Sequence, residues 1–421
     1  MSYPLDNISS LHHVSNMDYE VIIAGGGLNG ITLALALNHA GISVALIDKQ
    51  PREALSLDNF TGRSYAVSSA SKKMLSALGV WPSLNSNAQP MLEIKVTDGS
   101  VDEEPSPFMM HFNKEDFNEG PMGFVVEDRH LRGALIKTLD DTNVSYFPNT
   151  EIVKQKLNKT NATVELDDET SLSTSVLVGA DGHNSRTAEV AGINRIGWDY
   201  GQSSLVCAVE HQKPHNGIAY QHFMPAGPLA ILPLTGNRSG IVWTEKTKAA
   251  SVIHSLGNDE YLGELQSRFG NFLGDISLVG SRYIYPLKLS TTHRMIDTRL
   301  ALVGDAAHLV HPIAGQGLNA GFKDVAALAE ILCETKRRGQ DLGVQTTLEK
   351  YQRWRRFDNA MLSIVTNGFN NLFSNNNPIT RSIRDLGLGI VNKNASLRKA
   401  FVANAAGTSG DVPKLLKGQP L

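Results

Sequence analysis

Tyr19-Glu-Val-Ile-Ile-Ala-Gly25-Gly-Gly-Leu-Asn-Gly30-Ile-Thr-Leu-Ala-Leu-Ala-Leu-Asn-His39 reads as a buried strand, a glycine turn and a helix in immediate succession. The β-branched run Tyr19–Ala24 has no polar alternation, as expected of a parallel strand covered on both faces. Ser43-Val-Ala-Leu-Ile-Asp48 follows as a second buried strand. Strand, turn, helix and strand make a βαβ unit, and such a unit implies a parallel α/β sheet. Gly25-Gly26-Gly27-Leu28-Asn29-Gly30 fits G-x-G-x-x-G where that pattern has a mechanism. Gly25 permits the tight turn, Gly27 lets backbone approach a diphosphate, and Gly30 lets helix and strand pack closely. The helix start offers unpaired N–H groups and a positive dipole end to phosphate. Asp48 closes the next strand, where a carboxylate accepts from ribose hydroxyls.

Two later stretches extend this reading. Val178-Gly-Ala-Asp-Gly-His-Asn-Ser185 is a strand running into Asp181-Gly182, and Leu302-Val-Gly-Asp-Ala-Ala-His308 stops at Asp305. The latter continues through His311-Pro-Ile-Ala-Gly-Gln-Gly-Leu-Asn319, a glycine loop that opens a helix. Backbone N–H groups at such a start suit the pyrimidine end of an isoalloxazine ring, where they stabilise negative charge on reduced flavin. Asp305 suits a ribityl or ribose hydroxyl. A lone Asp-Gly is usually only a turn; the conjunction favours FAD over NAD as the resident dinucleotide.

The rest of the chain sets limits. With 421 residues there is room for two or three domains. A net charge of −3 supplies no global field for nucleic acid or acidic lipid. Two distant cysteines, Cys207 and Cys333, make neither a disulfide framework nor a thiolate metal site. His308 and His311 lack an acid or cysteine at ligand spacing, so no metal is expected. Met1 to Asp18 is polar and reads as a mobile arm, not a secretory signal. No apolar run reaches a membrane span. The expected location is cytoplasmic, with peripheral attachment to the inner face of the membrane left open. From about 200 to 290, short β-like runs separated by Pro and Gly imply a mostly antiparallel sheet. Beyond Gly317, helical periodicity takes over, from Phe322 to Arg338 and from Leu348 to about Phe373. The expected division is an FAD-binding domain over 18–90, 120–195 and 290–330, a substrate sheet domain over 91–119 and 196–289, and a helical C-terminal region over 331–421.

The motifs GGGLNG, GADGHNS and GDAAHLVHPIAGQGLN together resemble the single-component aromatic-hydroxylase flavoproteins, the class of para-hydroxybenzoate hydroxylase. GRSYAVSSASKKMLSALGVW, GFVVEDRHLRGAL, AYQHFMPAGPLAILPL, VWTEK and the terminal FVANAAGTSGDVPKLLKG are similar to the ubiquinone-biosynthesis hydroxylases of UbiH/VisC type. The resemblance spans about residues 18 to 418. It implies a Rossmann-like, para-hydroxybenzoate hydroxylase-like FAD domain with an inserted antiparallel-sheet substrate domain and a helical C-terminal part. It also implies that Gly25, Gly27, Gly30 and Asp48 hold the ADP half of FAD, with Arg63 and Arg129 against the cofactor. Asp181 and Gly182 form the middle motif, Asp305 meets the ribityl chain, and Pro312, Gly315, Gly317, Leu318 and Asn319 border the isoalloxazine. Many relatives carry Ser-x-x-Arg after the middle Asp-Gly; here Arg186 directly follows Ser185, so no role is assigned to it.

A second dinucleotide fingerprint is missing, so NADPH or NADH is expected to act as a transient reductant. The resemblance implies reaction of reduced flavin with O2 through a C4a-hydroperoxide that attacks an electron-rich ring, here a polyprenylated phenol of ubiquinone biosynthesis. The protein then has to position the phenol and exclude water. No catalytic residue is singled out. Lys288, His222 and Tyr220 are candidates to bind a phenol, and Phe223, Met224, Pro225, Pro228, Leu229 and Ile231 a candidate apolar lining. Met361, Leu362, Ile364, Val365, Phe369, Leu372 and Phe373 have amphipathic spacing, suited to a membrane surface, a partner or the flavin domain. A multiprotein complex and a homo-oligomer both stay open. Two other functions remain: hydroxylation of a small soluble aromatic acid, and a non-hydroxylating flavin-binding redox or assembly subunit. An NAD-dependent dehydrogenase is disfavoured by the two downstream motifs.

Overall fold

The computed structural model describes residues 17–55, 60–98, 110–113, 120–310, 315–356, 358 and 394–421. The N-terminal arm to residue 16, Pro312, His311 and the amphipathic run 361–373 lie outside the described residues.

Among the described residues, the first sheet has its parallel strands in the order Leu300–Leu302, Ser171–Gly179, Tyr19–Ala24, Val44–Ile47 and Ser145–Phe147. An antiparallel hairpin, Ile152–Leu157 and Ala162–Leu166, joins the outer half of Ser171–Gly179. The central strands are apolar because helices cover the sheet: Val21, Ile22, Ile23, Val176, Leu177 and Val178 are all fully buried. Helix Leu28–His39 is buried nearly all round, wedged between the sheet and helices Asp128–Asp140 and Gln316–Arg337. Its Ala-Leu alternation puts apolar side chains on every face, as a core helix requires.

A second sheet runs His308–Leu309, Ile276–Thr292, Arg195–His211, Arg238–Lys246, Gly227–Leu234, Ile218–Met224, Glu93–Asp98 and Met110–Phe112. It is antiparallel except where Glu93–Asp98 pairs with Ile218–Met224. Its strands are longer than the sequence runs suggest, and Ile276–Thr292 crosses the expected boundary at 289/290. Two helices absent from the sequence reading, Thr247–Ser255 and Asn258–Phe269, cover one face of this sheet. There Ala250, Ile253, Tyr261, Leu265 and Phe269 pack on Leu205, Cys207, Ile241 and Trp243. A small third sheet, Ser64–Ser68, Gly123–Glu127 and Ala88–Met91, lies between the two large ones.

Helix Gln316–Arg337 begins six residues before the expected Phe322, so Gly317, Leu318 and Asn319 fall in its first turn. Gly315 caps it with φ of 62°, a left-handed backbone that glycine adopts without steric cost. No helix among the described residues is long and apolar enough to cross a membrane.

Candidate functional site

Strand register brings the motifs together. Ala24 is level with Gly179, and Gly179 with Leu302. The turn from Gly25, the loop from Ala180 and the turn from Val303 therefore leave the carboxyl ends of three neighbouring parallel strands. A crevice there is the usual ligand site of an open α/β sheet.

The turns touch, and the glycines make that contact possible. Gly25 has φ of 105°, and a Cβ on it would sit 2.5 Å from the Ala180 carbonyl oxygen; one on Gly30 would sit 1.9 Å from the Gly25 oxygen. Gly27 is the contrast, since a Cβ there would meet nothing within 4 Å. It faces open space at the mouth of the crevice. Asp48 is 8% exposed; its Oδ2 accepts from Gly26 N at 2.7 Å and its Oδ1 from Gln50 N at 2.8 Å. The carboxylate thus pins the glycine turn, with lone pairs in excess of those two bonds.

Asp181 is committed inside its own loop. Its Oδ1 accepts from Ser185 Oγ at 2.6 Å, and its Oδ2 from Thr187 N at 3.0 Å and Thr187 Oγ1 at 2.9 Å. Gly182 turns the chain at φ of 83°. Arg186 lies away from the crevice, paired with Glu151 and the Val153 carbonyl. Asp305 is exposed on its turn. Burial among neighbouring chain raises its carboxyl above the ordinary value, opposed by His308, His183 and Arg195.

Asn319 does not use its amide on the crevice. Oδ1 accepts from Ser68 N at 2.9 Å and Ser71 Oγ at 2.8 Å, while Nδ2 donates to the Ala66 and Gly315 carbonyls. It ties the start of helix Gln316–Arg337 to the third sheet, and Leu318 packs on the main core. A Cβ on Gly317 would meet nothing within 4 Å, whereas one on Gly315 would meet Ala66. Arg63 lies over the Tyr285 ring at 5.7 Å and approaches the Tyr65 hydroxyl. Arg129 donates to Glu127 at 2.8 Å and lies over Phe60.

Sequence reasoning missed four residues. Asn29 fills a notch between Gly304 and Gly321, where a Cβ on either glycine would collide with its amide. Its Oδ1 is buried with no hydrogen-bond partner among the described residues, an unmet acceptor beside the crevice. Arg195 clamps the third turn by donating to the Asp305 and Ala306 carbonyls. Asp324 and Arg355 form a buried ion pair at 2.7 Å behind the same turn. Asn29 was visible as a polar residue opening an apolar helix, and Asp324 as an acid at helical spacing from Ala320, Ala327 and Leu328. Nothing local marks Arg195 or Arg355 as belonging to this turn, since the contacts that place them there, Arg195 with Ala306 and Arg355 with Asp324, span 111 and 31 residues.

The substrate candidates divide by sheet face. Register puts Tyr220 with Ile231 and His222 with Leu229, and Met224, Leu229 and Ile231 belong to the helix-covered cluster. Tyr220 packs against that cluster and on Phe272. Lys288 is exposed beside Asp199. The opposite, inner face carries Gln221 with Ala230, Phe223 with Pro228, and Ala219 with Leu232. Of the expected lining, Phe223 and Pro228 face inward, and Met224, Leu229 and Ile231 face the helices. Period-two alternation separates them: a contiguous apolar run in a strand cannot line one surface.

The open backbone at Gly27, the orphaned Asn29 oxygen and the exposed Asp305 fit an extended dinucleotide that carries phosphates at one end and hydroxyls along its length. No group of three or more metal-ligating side chains occurs among the described residues. Residues 18–359 match a family model described as an FAD binding domain. The sequence is 40% identical over 408 residues to the ubiquinone hydroxylase UbiL of Rhodospirillum rubrum, covering 96% of this chain and 93% of that protein. It is 28% identical over 441 residues to the mitochondrial ubiquinone biosynthesis monooxygenase COQ6 of Rattus norvegicus, covering 92% and 91%. The fold is similar to that of p-nitrophenol 4-monooxygenase PnpA from Pseudomonas putida DLL-E4, with a TM-score of 0.75 at 17% identity over 92% of this chain and 97% of that one.

Proposed function

This chain belongs to the FAD binding domain family and, within it, to the ubiquinone-biosynthesis hydroxylases, and from that premise we propose that it hydroxylates the ring of a polyprenylated phenol with NAD(P)H and O2. The observation that supports the reading is the register of Ala24, Gly179 and Leu302, which brings the turns that follow them to neighbouring strand ends.

Gly25 to Gly30 and Asp48 would hold the ADP half of FAD, the glycine turn giving backbone N–H groups and the helix dipole to its phosphates. Asp305 would accept from the ribityl hydroxyls, and Gly315 to Asn319 would set the start of a helix against the flavin head. Arg63 and Arg129 would flank the cofactor. Asp181 acts indirectly, closing the middle loop. Bound FAD, reduced by NAD(P)H, supplies the electrons and activates O2. The chain's own work is to hold the phenol against the flavin edge and keep water out. The inner face of the second sheet, with Gln221, Phe223 and Ala230, is the wall against which the ring would lie.

Purified protein should carry the two-banded visible spectrum of oxidised flavin. Short-chain prenylphenols should accelerate NAD(P)H oxidation and gain one oxygen atom. Stimulation by benzoates instead would move the substrate to small aromatic acids, and absence of O2 uptake with every phenol would leave a non-hydroxylating flavoprotein. A cell lacking the protein should accumulate a prenylated phenol short of one hydroxyl; unchanged quinone content would defeat the pathway assignment.

A further inference from the structure

We infer that Asp324 is a positioning residue for the cofactor, acting through the 304–308 turn that it holds from behind. The side chain is fully buried in helix Gln316–Arg337. Its Oδ2 accepts from Gly304 N at 3.0 Å and pairs with His308 Nε2 at 2.6 Å. Its Oδ1 accepts from Arg355 Nε at 2.7 Å. One carboxylate oxygen thus fastens both ends of the turn whose middle displays Asp305, and the other is neutralised by an arginine. Burial alone would raise the Asp324 carboxyl, but His308 and Arg355 hold it down at about 2. Arg355 is itself anchored by Asp358 at 2.6 Å, which also meets Lys323.

The turn needs this support because its conformation is unusual. Gly304 has φ of 59°, and a Cβ there would lie 2.2 Å from Asn29 Nδ2. Its N–H is directed into the protein, where an unpaired donor is costly. Asp324 satisfies that donor and sets the plane from which Asp305 projects. Arg195 holds the same turn from the second sheet by taking up the Asp305 and Ala306 carbonyls. The turn is therefore fixed by its N–H on one side and its carbonyls on the other, which leaves the Asp305 side chain for the crevice.

Removing the carboxylate alone would strand Arg355 in the core, so the test pairs substitutions. Asp324→Asn with Arg355→Met keeps an oxygen for Gly304 and His308 while deleting both charges. Asp324→Leu with Arg355→Met deletes the charges and that oxygen with the same branching and number of side-chain heavy atoms at position 324. The readouts are the FAD dissociation constant, the visible circular dichroism of bound flavin, and the melting temperature of the apoprotein. The Asn/Met protein should bind FAD within about threefold of wild type, whereas the Leu/Met protein should bind at least tenfold more weakly, with altered dichroism, and its apoprotein should melt a few degrees lower because the Gly304 N–H is left unpaired. Equal FAD affinity and dichroism in the two proteins would overturn the inference. If Leu/Met does not fold, Asp324→Ala with Arg355→Met takes its place: FAD affinity and dichroism equal to those of Asn/Met overturn the inference, and a loss of tenfold or more supports it. The inference rests on the flavin reading, and wild type run alongside separates the two. Failure of wild type to bind FAD defeats both, whereas failure confined to the paired variants defeats this one.

Discussion

At the scale of single residues, three glycines of one motif do different work, and substitution distinguishes them. A methyl on Gly30 would collide with the Gly25 carbonyl 1.9 Å away, so Gly30→Ala should lower stability by about 3 kcal/mol or more, the upper end for overpacking, as read by urea unfolding. Gly27→Ala has open space around it and an ordinary φ of −71°. Its apoprotein should unfold like wild type, yet FAD should bind at least ~10-fold more weakly because the methyl occupies the phosphate approach. An equal loss of apoprotein stability in both variants would mean that Gly27 only packs. His222 makes a pH-dependent case. Burial pushes its pKa down from 6.5 to about 4, and its Nε2 has no hydrogen-bond partner among the described residues. The unfolded chain therefore takes up a proton near its ordinary pKa while the folded chain stays neutral. The stability it contributes is complete above that value and is lost as pH falls towards 4, by at most ~3 kcal/mol. His222→Leu should flatten this part of the stability curve; the same acid slope in wild type and variant would remove His222 as its source. The G-x-G-x-x-G and Asp48 could be read from the sequence because each acts within one βαβ unit. The roles of Asn29, Arg195 and Asp324 could not, because each depends on a partner brought near by folding.

At the scale of elements, legibility followed burial symmetry. Strands Tyr19–Ala24, Ser171–Gly179 and Leu300–Leu302 are covered on both faces, so their apolar runs announce themselves. Helices Thr247–Ser255 and Asn258–Phe269 bury a narrow stripe and went unseen among short β-like runs. The inner and outer faces of the second sheet were merged for the same reason: apolar residues alternate with small and polar ones, and sequence alone does not say which face meets the cleft. One contact across elements carries a prediction. Glu127, 1% exposed at the end of Gly123–Glu127, pairs with Arg129 and with Arg238 of the second sheet, both at 2.8 Å. Phe60 lies under both guanidinium groups. The arginines keep some solvent access, so the clasp falls between a surface pair and a buried one. Glu127→Leu should cost about 2 kcal/mol, and adding Arg238→Met should restore part of it. Independent, additive losses in a double-mutant cycle would show that Glu127 and Arg238 do not interact energetically.

At the scale of the whole molecule, the turns proposed to bind the cofactor come from residues 25–30, 180–187, 303–308 and 315–319, and strand register sets the first three on one edge of one sheet. An extended cofactor in that crevice would add contacts to all of them, beyond the strand pairing and the side chains such as Asn29, Asn319 and Arg195 that already join them. A ligand bound to the folded chain alone adds RT ln(1 + [L]/Kd) to stability, about 2.7 kcal/mol at a hundredfold excess over its dissociation constant. In a chain of this size that amounts to a rise of a few degrees in melting temperature. ADP offers a control because it reaches only the Gly25–Gly30 turn and Asp48. At equal concentration FAD should raise the melting temperature of deflavinated protein well above the value reached with ADP, the excess reporting the turns at 303–308 and 315–319. Gly27→Ala should reduce both shifts, and Asp305→Ala only the FAD shift. If ADP and FAD stabilise the protein equally, the two later turns contribute no binding energy and the crevice holds a mononucleotide.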